Sequence, residues 1–156
     1  MTVRISTGFA AALMGAKAFD QIFRDGAIKV YSGPQPESAD DPETGTLLGI
    51  VTNNGGAWNP DSSINGLRYV RNGRFASNDP TQQWRLTGIA TGVAGWYRMV
   101  GNAPDTGFSM DLPRIDGAIG LDDGSPGDFQ LLLPTLAMAT STGIPITSWW
   151  YEMPTN

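Results

Sequence analysis

The clearest structural signal in the chain is the stretch Leu67-Arg68-Tyr69-Val70-Arg71-Asn72-Gly73-Arg74-Phe75-Ala76. The runs 67–71 and 74–76 flank the dipeptide Asn72-Gly73. This dipeptide favours a two-residue hairpin turn because both of its residues tolerate a positive φ angle. The stretch therefore predicts two antiparallel strands joined by a tight turn.

Segments of similar character recur on both sides of this hairpin at roughly regular intervals. Each is short, rich in β-branched or aromatic residues, and bounded by Gly, Pro, Asn or Asp. They are the runs 27–31, 46–52, 84–90, 95–100, 115–119, 129–133 and 144–151. Residues 91–94 are predicted either to continue a strand through a glycine kink or to form a turn. Because no helices separate these runs, we expect a mainly β fold, a jelly-roll-like β-sandwich of about eight strands.

The N-terminal segment carries the one convincing helical pattern. Its apolar residues recur at spacings of three and four, as on one face of a helix: Phe9, Leu13, Ala16, Phe19 and Phe23. The pattern predicts a helix over residues 7–24, with Ser6 or Thr7 as its N-cap and Gly26 ending it in the left-handed conformation. Residues 4–18 also resemble a signal peptide, but the helical register continues past the apparent cleavage site, and we expect no cleavage.

These patterns divide the chain into an N-terminal helix or arm, residues 1–26, and a β-sandwich domain, residues 27–156. Two placements of the helix are open at this point. Its apolar face can lie on the sheet of its own chain, or it can extend as an arm onto a neighbouring subunit.

The composition restricts the chemistry that the chain can perform. Its 156 residues include neither histidine nor cysteine, which removes histidine-dependent nucleophilic catalysis and the usual zinc sites. The net charge of −5 argues against nucleic-acid binding, and no apolar run is long enough to span a membrane. No phosphate-binding or dinucleotide-binding glycine motif occurs. We therefore expect a non-enzyme that has no cofactor and binds neither nucleic acid nor membrane.

Carboxylates remain as candidate catalytic or metal-binding groups. Paired carboxylates can cleave sugars, and Asp111, Asp116 and Asp122 or Asp123 are the candidates. Their glycine and proline neighbours are typical of ordinary turns. Residues 122–128 superficially resemble a calcium loop but lack the ligand spacing of an EF-hand. We accordingly predict no catalytic residue and no metal ligand.

The residues predicted to act are interface residues. Arg68, Arg71 and Arg74 cluster around the hairpin, where they could contact the acidic loop around residues 37–43 of a neighbouring copy. Adjacent strand residues point to opposite faces, so one of Trp149 and Trp150 should be buried and the other exposed. The interface candidates are Phe9, Leu13, Arg68, Arg71, Arg74, Trp96 and Trp150. They predict a homo-oligomer, a trimer in the simplest case, held by aromatic and arginine anchors.

Several segments resemble small virion proteins of tailed bacteriophages. These are a strand ending in Tyr31-Ser32-Gly33-Pro34, the pair Ala39-Asp40, and the strand Thr44-Gly45-Thr46-Leu47-Leu48. Thr91–Arg98 looks like a middle signature of that group, and Gly143–Trp149 looks like its closing strand. The resemblance touches most of the chain beyond residue 26. It implies a structural part of a phage particle without saying which part.

The expected function follows from this resemblance. Within such a particle we expect a capsid decoration (cement) protein, because a small β-sandwich can bridge neighbouring capsid subunits. It would bind the major capsid protein or another virion protein, be assembled in the bacterial cytoplasm and be located in the virion. A tail, baseplate or fibre-associated module is the alternative within the particle. A carbohydrate-binding or carbohydrate-cleaving domain is the alternative from another class.

Overall fold

The computed structural model describes residues 3–124 and 130–153. Within these ranges the chain forms twelve strands and two short helices. In chain order they are β1 (Arg4–Ile5), α1 (Thr7–Met14), α2 (Phe19–Ile22), β2 (Ala27–Ser32), β3 (Leu47–Asn53), β4 (Tyr69–Asn72), β5 (Phe75–Asn78), β6 (Trp84–Gly88), β7 (Gly92–Val100), β8 (Arg114–Leu121), β9 (Leu131–Leu133), β10 (Ala137–Met138), β11 (Gly143–Pro145) and β12 (Trp150–Glu152). The predicted fold class is confirmed, because the protein is mainly β with two sheets and a helical N-terminus.

The larger sheet has nine strands and the smaller sheet has three. The larger one runs β1-β8-β7-β2-β3-β6-β11, with β9 added to β8 and β10 to β7. All of its pairs are antiparallel except β8 with β9. The smaller sheet runs β12-β5-β4. The predicted hairpin forms, but its turn residues are Gly73, with φ = 61°, and Arg74 rather than Asn72 and Gly73, because Asn72 pairs with Phe75.

The strand count exceeds the predicted eight because some predicted runs divide and very short strands are added. The run 144–151 becomes two strands in different sheets, with β11 beside β6 and β12 beside β5. Gly92 begins β7, so most of residues 91–94 continues a strand. The predicted strand at 129–133 is β9, and Phe129 lies outside the described residues.

The single helix predicted over residues 7–24 is wrong, since the segment breaks into α1 and α2. Ser6 caps α1 as predicted, because its Oγ accepts a hydrogen bond from the Phe9 N–H at 3.1 Å. Helix α1 ends at its C-cap, Gly15, and the next residue, Ala16, takes φ = 67°. The Lys17 N–H then reaches back to the Ala12 carbonyl at 3.2 Å, a Schellman-type ending with alanine where glycine is usual.

The predicted role of Gly26 also needs correction. Asp25, with φ = 60°, takes the left-handed conformation at the end of the helical segment. Gly26 is required for a different reason, because a Cβ atom there would lie 2.0 Å from the Val100 carbonyl oxygen. Glycine allows the chain to pass directly against β7 at this point.

An aromatic cluster joins the helices to both sheets. Its members are Phe9, Phe19, Phe23, Tyr69, Trp84, Trp149 and Tyr151, and all are buried. Phe19 lies at its centre, with ring centroids 5.1 Å from Phe23, 5.6 Å from Tyr69 and 5.6 Å from Tyr151. The N-terminal segment therefore lies on the core of its own chain, and β1 extends the larger sheet.

Candidate functional site

The second face of the larger sheet carries charged side chains at positions that are closed to solvent. Lys29 on β2, Arg98 on β7 and Asp116 on β8 lie side by side in the strand register. Arg114 opens β8 on the same face, and all four residues are at least nine-tenths buried. Such charges require partners within the protein, since an unpaired buried charge is very costly.

Arg98 and Asp116 form a two-pronged ion pair across adjacent strands. The Arg98 Nε and Nη2 atoms donate to the two Asp116 carboxylate oxygens, each at 2.7 Å. The remaining nitrogen, Nη1, donates to the Asp41 carbonyl at 3.0 Å. The planar guanidinium matches this arrangement, which an ammonium group could not reproduce.

Arg114 forms a second two-pronged pair, with Asp105. Its Nε and Nη2 atoms donate to the Asp105 carboxylate at 3.1 and 2.7 Å. Nη2 also reaches the Gly107 carbonyl at 2.8 Å, and Nη1 reaches the carbonyls of Ala39 and Asp40, both at 3.2 Å. One side chain on a strand thus fixes the backbone of two separate loops, residues 36–43 and residues 105–112.

Both loops have further attachments to the N-terminal segment. The Thr7 N–H and hydroxyl donate to the Asp40 carboxylate at 2.8 and 2.6 Å, and the Ser6 hydroxyl donates to the Leu112 carbonyl at 2.8 Å. The loops also bind each other, since the Ser109 N–H donates to the Asp40 carbonyl at 2.9 Å. They form a tightly held cover over the charged face.

Burial shifts the titration of the charged groups under this cover. Desolvation raises the pKa of Asp116, against the opposing effects of Arg98 and Arg114. Desolvation lowers the pKa of Lys29, against the opposing charge of Asp105. The Lys29 ammonium donates to the Asp105 carbonyl at 2.8 Å, which gives this cation a partner in the loop.

The carboxylates that are candidates for catalysis lie in different environments. Asp116 is closed to solvent and bound by Arg98, so it cannot contact a substrate in this structure. Asp111, Asp122 and Asp123 are exposed. Residues 125–128 of the calcium-loop-like segment lie outside the described residues, and over the described ranges no cluster of three acidic side chains suited to a metal ion occurs.

The structure corrects two of the predicted interface residues, because Phe9 and Trp96 are buried within the chain. Phe9 belongs to the aromatic cluster. Trp96 stacks on Tyr31 with ring centroids 4.7 Å apart, and its indole N–H donates to the Thr44 carbonyl at 3.3 Å. Leu13 is partly buried against the core.

The hairpin arginines are half exposed, and each has a carboxylate partner in its own chain. Arg68 pairs with Asp25 at 3.4 Å, Arg71 with Asp20, and Arg74 with Glu152. Two side chains of the acidic loop also have partners in their own chain. Asp40 accepts a hydrogen bond from the Thr7 hydroxyl, and Glu43 accepts one from the Gly107 N–H at 3.3 Å. The sequence predicted that these groups cluster but did not reveal their partners within the chain.

The outer face of the smaller sheet exposes three apolar side chains among the polar residues Asn72, Ser77 and Glu152. Val70 on β4 and Trp150 on β12 both lie beside Ser77 of β5 in the register, and Phe75 lies two residues before Ser77. All three apolar side chains are exposed, Trp150 by 45%. Trp149 is buried, so the predicted division of the two tryptophans between opposite faces is confirmed.

A groove opens between the helices and the hairpin, and we call it the helix–hairpin groove. Its volume is 210 Å³. Its lining residues are Leu13, Ala18, Phe19, Arg71, Gly73, Arg74, Phe75, Ala76, Tyr151 and Met153. It is an apolar recess with two guanidinium groups in its wall.

The four tyrosines of the chain provide a test of this packing. All are buried, and desolvation raises the pKa of each: Tyr31, Tyr69, Tyr97 and Tyr151. Above about pH 10 an unfolded chain loses phenol protons that the folded chain keeps, so the free energy of unfolding should fall as pH rises. We expect no tyrosinate absorbance before the protein unfolds in alkali. In denaturant, all four should titrate near pH 10. A tyrosine that ionises near pH 10 with an unchanged circular dichroism spectrum would contradict the assignment.

Comparison with known proteins gives no relative for this chain. No protein-family model, curated protein or solved structure matches it. Among the described residues, no helix is long and apolar enough to cross a membrane.

Proposed function

We propose that this chain is a non-enzymatic structural protein of a bacteriophage particle, acting as a capsid decoration (cement) protein. In this function it binds the major capsid protein and further copies of itself. The observation that carries the proposal is the group of exposed apolar side chains on the outer face of the smaller sheet, Val70, Phe75 and Trp150. Arg74 of the same hairpin lies over the Phe75 ring, 5.4 Å from its centroid, and aromatic and arginine side chains are the usual anchors of protein interfaces.

The rigid base under the two loops supports the same function. The buried pairs Arg98–Asp116 and Arg114–Asp105 hold loop backbone through charge-assisted hydrogen bonds. A cement protein must present surfaces of constant shape, because ordering a loop during binding reduces affinity. The sequence resemblance to small virion proteins points to the same biology.

Nucleic acid is a less suitable partner on the same observations. The net charge is −5, and the hairpin arginines are partly neutralised by Asp25, Asp20 and Glu152. Nucleic-acid-binding domains instead present clustered, uncompensated basic side chains.

We expect the protein to be found in the heads of purified phage particles, in a fixed ratio to the major capsid protein. Mass spectrometry of separated heads and tails measures this directly, and electron microscopy then locates each copy. Detection in tails alone would favour the tail, baseplate or fibre-associated alternative. Absence from the particle would contradict the proposal.

A further inference from the structure

One exposed loop presents an apolar side chain on a firmly held backbone. Phe108 is 63% exposed, and the residues around it are fixed. The Gly107 carbonyl accepts from Arg114 at 2.8 Å, and the Ser109 N–H donates to Asp40 at 2.9 Å. Phe108 is therefore presented in a defined position, and binding through it costs little conformational entropy.

The surroundings of Phe108 are acidic. Asp111 is exposed on the same loop, and the half-buried Glu43 accepts the Gly107 N–H. The accompanying cations, Arg98 and Arg114, are closed to solvent beneath the loops. This surface is thus an apolar projection with a carboxylate rim.

The helix–hairpin groove has the complementary character. Leu13, Phe19 and Tyr151 line it, and Arg71 and Arg74 stand in its wall. Its 210 Å³ exceeds the roughly 150 Å³ of an apolar cavity that accepts benzene, so a phenyl ring fits. Arg71 pairs with Asp20 and Arg74 with Glu152, and a guanidinium, with its five N–H donors, can donate to more than one carboxylate.

The projection and the groove lie at opposite ends of α1. Gly8, near its start, packs against the Asp111 backbone, because a Cβ there would lie 2.4 Å from the Asp111 carbonyl carbon. Leu13, near its end, lines the groove. Phe108 is exposed and therefore does not fill the groove of its own chain, which leaves that groove available to Phe108 of another copy.

We propose that Phe108 of one copy inserts into the helix–hairpin groove of the next, with Asp111 and Glu43 facing Arg71 and Arg74 across the rim. The contact is head-to-tail, because each copy contributes a different surface. A repeated contact of this kind forms a ring when the rotation between copies closes and an open filament when it does not. It rests on the proposed function in that it supplies the self-association of the cement protein.

Two single variants separate the two halves of the contact. Phe108→Ser removes the projection, and Ala18→Trp fills the groove from its half-buried wall. Loss of a central aromatic anchor weakens association about 30-fold or more, which corresponds to about 2 kcal/mol. Ile64→Ser is the matched control, because Ile64 is 67% exposed in a loop that belongs to neither surface. Circular dichroism verifies that each variant is folded.

Sedimentation of the full chain over a range of concentrations gives the result. Wild type and Ile64→Ser should form the same oligomer, and the other two variants should be monomers. An equimolar mixture of Phe108→Ser and Ala18→Trp should form a dimer and nothing larger, because only one productive contact remains. Raised salt should loosen the wild-type oligomer modestly, since rim charges are screened.

The opposite results would overturn the contact. A wild-type monomer at every concentration, a Phe108→Ser oligomer equal to wild type, or a mixture that stays monomeric each excludes it. If Ala18→Trp fails to fold, Phe108→Ser still decides the outcome. Particle composition tests the proposed function separately, so a virion protein that assembles without Phe108 would refute this contact alone.

Discussion

Replacing Arg98 with methionine is expected to lower the free energy of unfolding by about 3–5 kcal/mol. The change leaves the Asp116 carboxylate closed to solvent without the two 2.7 Å hydrogen bonds that balance its charge. It also removes the donor to the Asp41 carbonyl, so the first loop loses an attachment to the sheet. Equilibrium unfolding in urea, with the slope compared between variants, measures the difference.

Two further variants identify the cause of this loss. The double variant Arg98→Met/Asp116→Leu should recover much of the stability, because no unpaired charge remains. Arg71→Met, which breaks the half-exposed pair with Asp20, should cost under about 1 kcal/mol. If Arg98→Met lowers the free energy of unfolding no more than Arg71→Met does, the buried pair beneath the loops is no more important for stability than a half-exposed one.

Truncating Phe19 to alanine should cost about 3–5 kcal/mol as well, by leaving a cavity that its neighbours cannot fill. Phe19 lies within ring-contact distance of Phe9 on α1, Phe23 just after α2, Tyr69 on β4 and Tyr151 on β12. Its loss removes the ring that packs α2 against the smaller sheet. The shift of the thermal midpoint and the urea unfolding free energy both report it.

Phe108→Ala is the control for this prediction, since it makes the same chemical change at an exposed ring. It should alter the stability of the monomer by no more than about 0.5 kcal/mol. An unchanged midpoint for Phe19→Ala would show that the helices contribute little to the folded domain.

Local patterns predicted much of the fold. Asn72-Gly73 identified the hairpin, and period-two alternation correctly separated Trp149 from Trp150. The helix break at Ala16 was not predictable from spacing, because φ = 67° is unfavourable for alanine. Tertiary packing of Phe9 and Phe19 outweighs that local preference.

The charged face was missed for a different reason. Lys29, Arg98 and Asp116 alternate with apolar residues, and this pattern is typical of a strand with one solvated face. Only long-range contacts reveal that residues 36–43 and 105–112 cover them. No feature within the strands distinguishes a covered charge from an exposed one.

The arginines that hold the two loops bind carbonyl oxygens of Ala39, Asp40, Asp41 and Gly107. Every amino acid supplies the same carbonyl group, so this part of the loop shape is independent of which side chains the loop carries. Exposed positions outside the proposed contact, such as Glu37 and Met110, can therefore exchange in evolution while the backbone beneath them keeps its course. The same property makes these loops suitable for grafting short foreign recognition sequences, with Arg98 and Arg114 left in place.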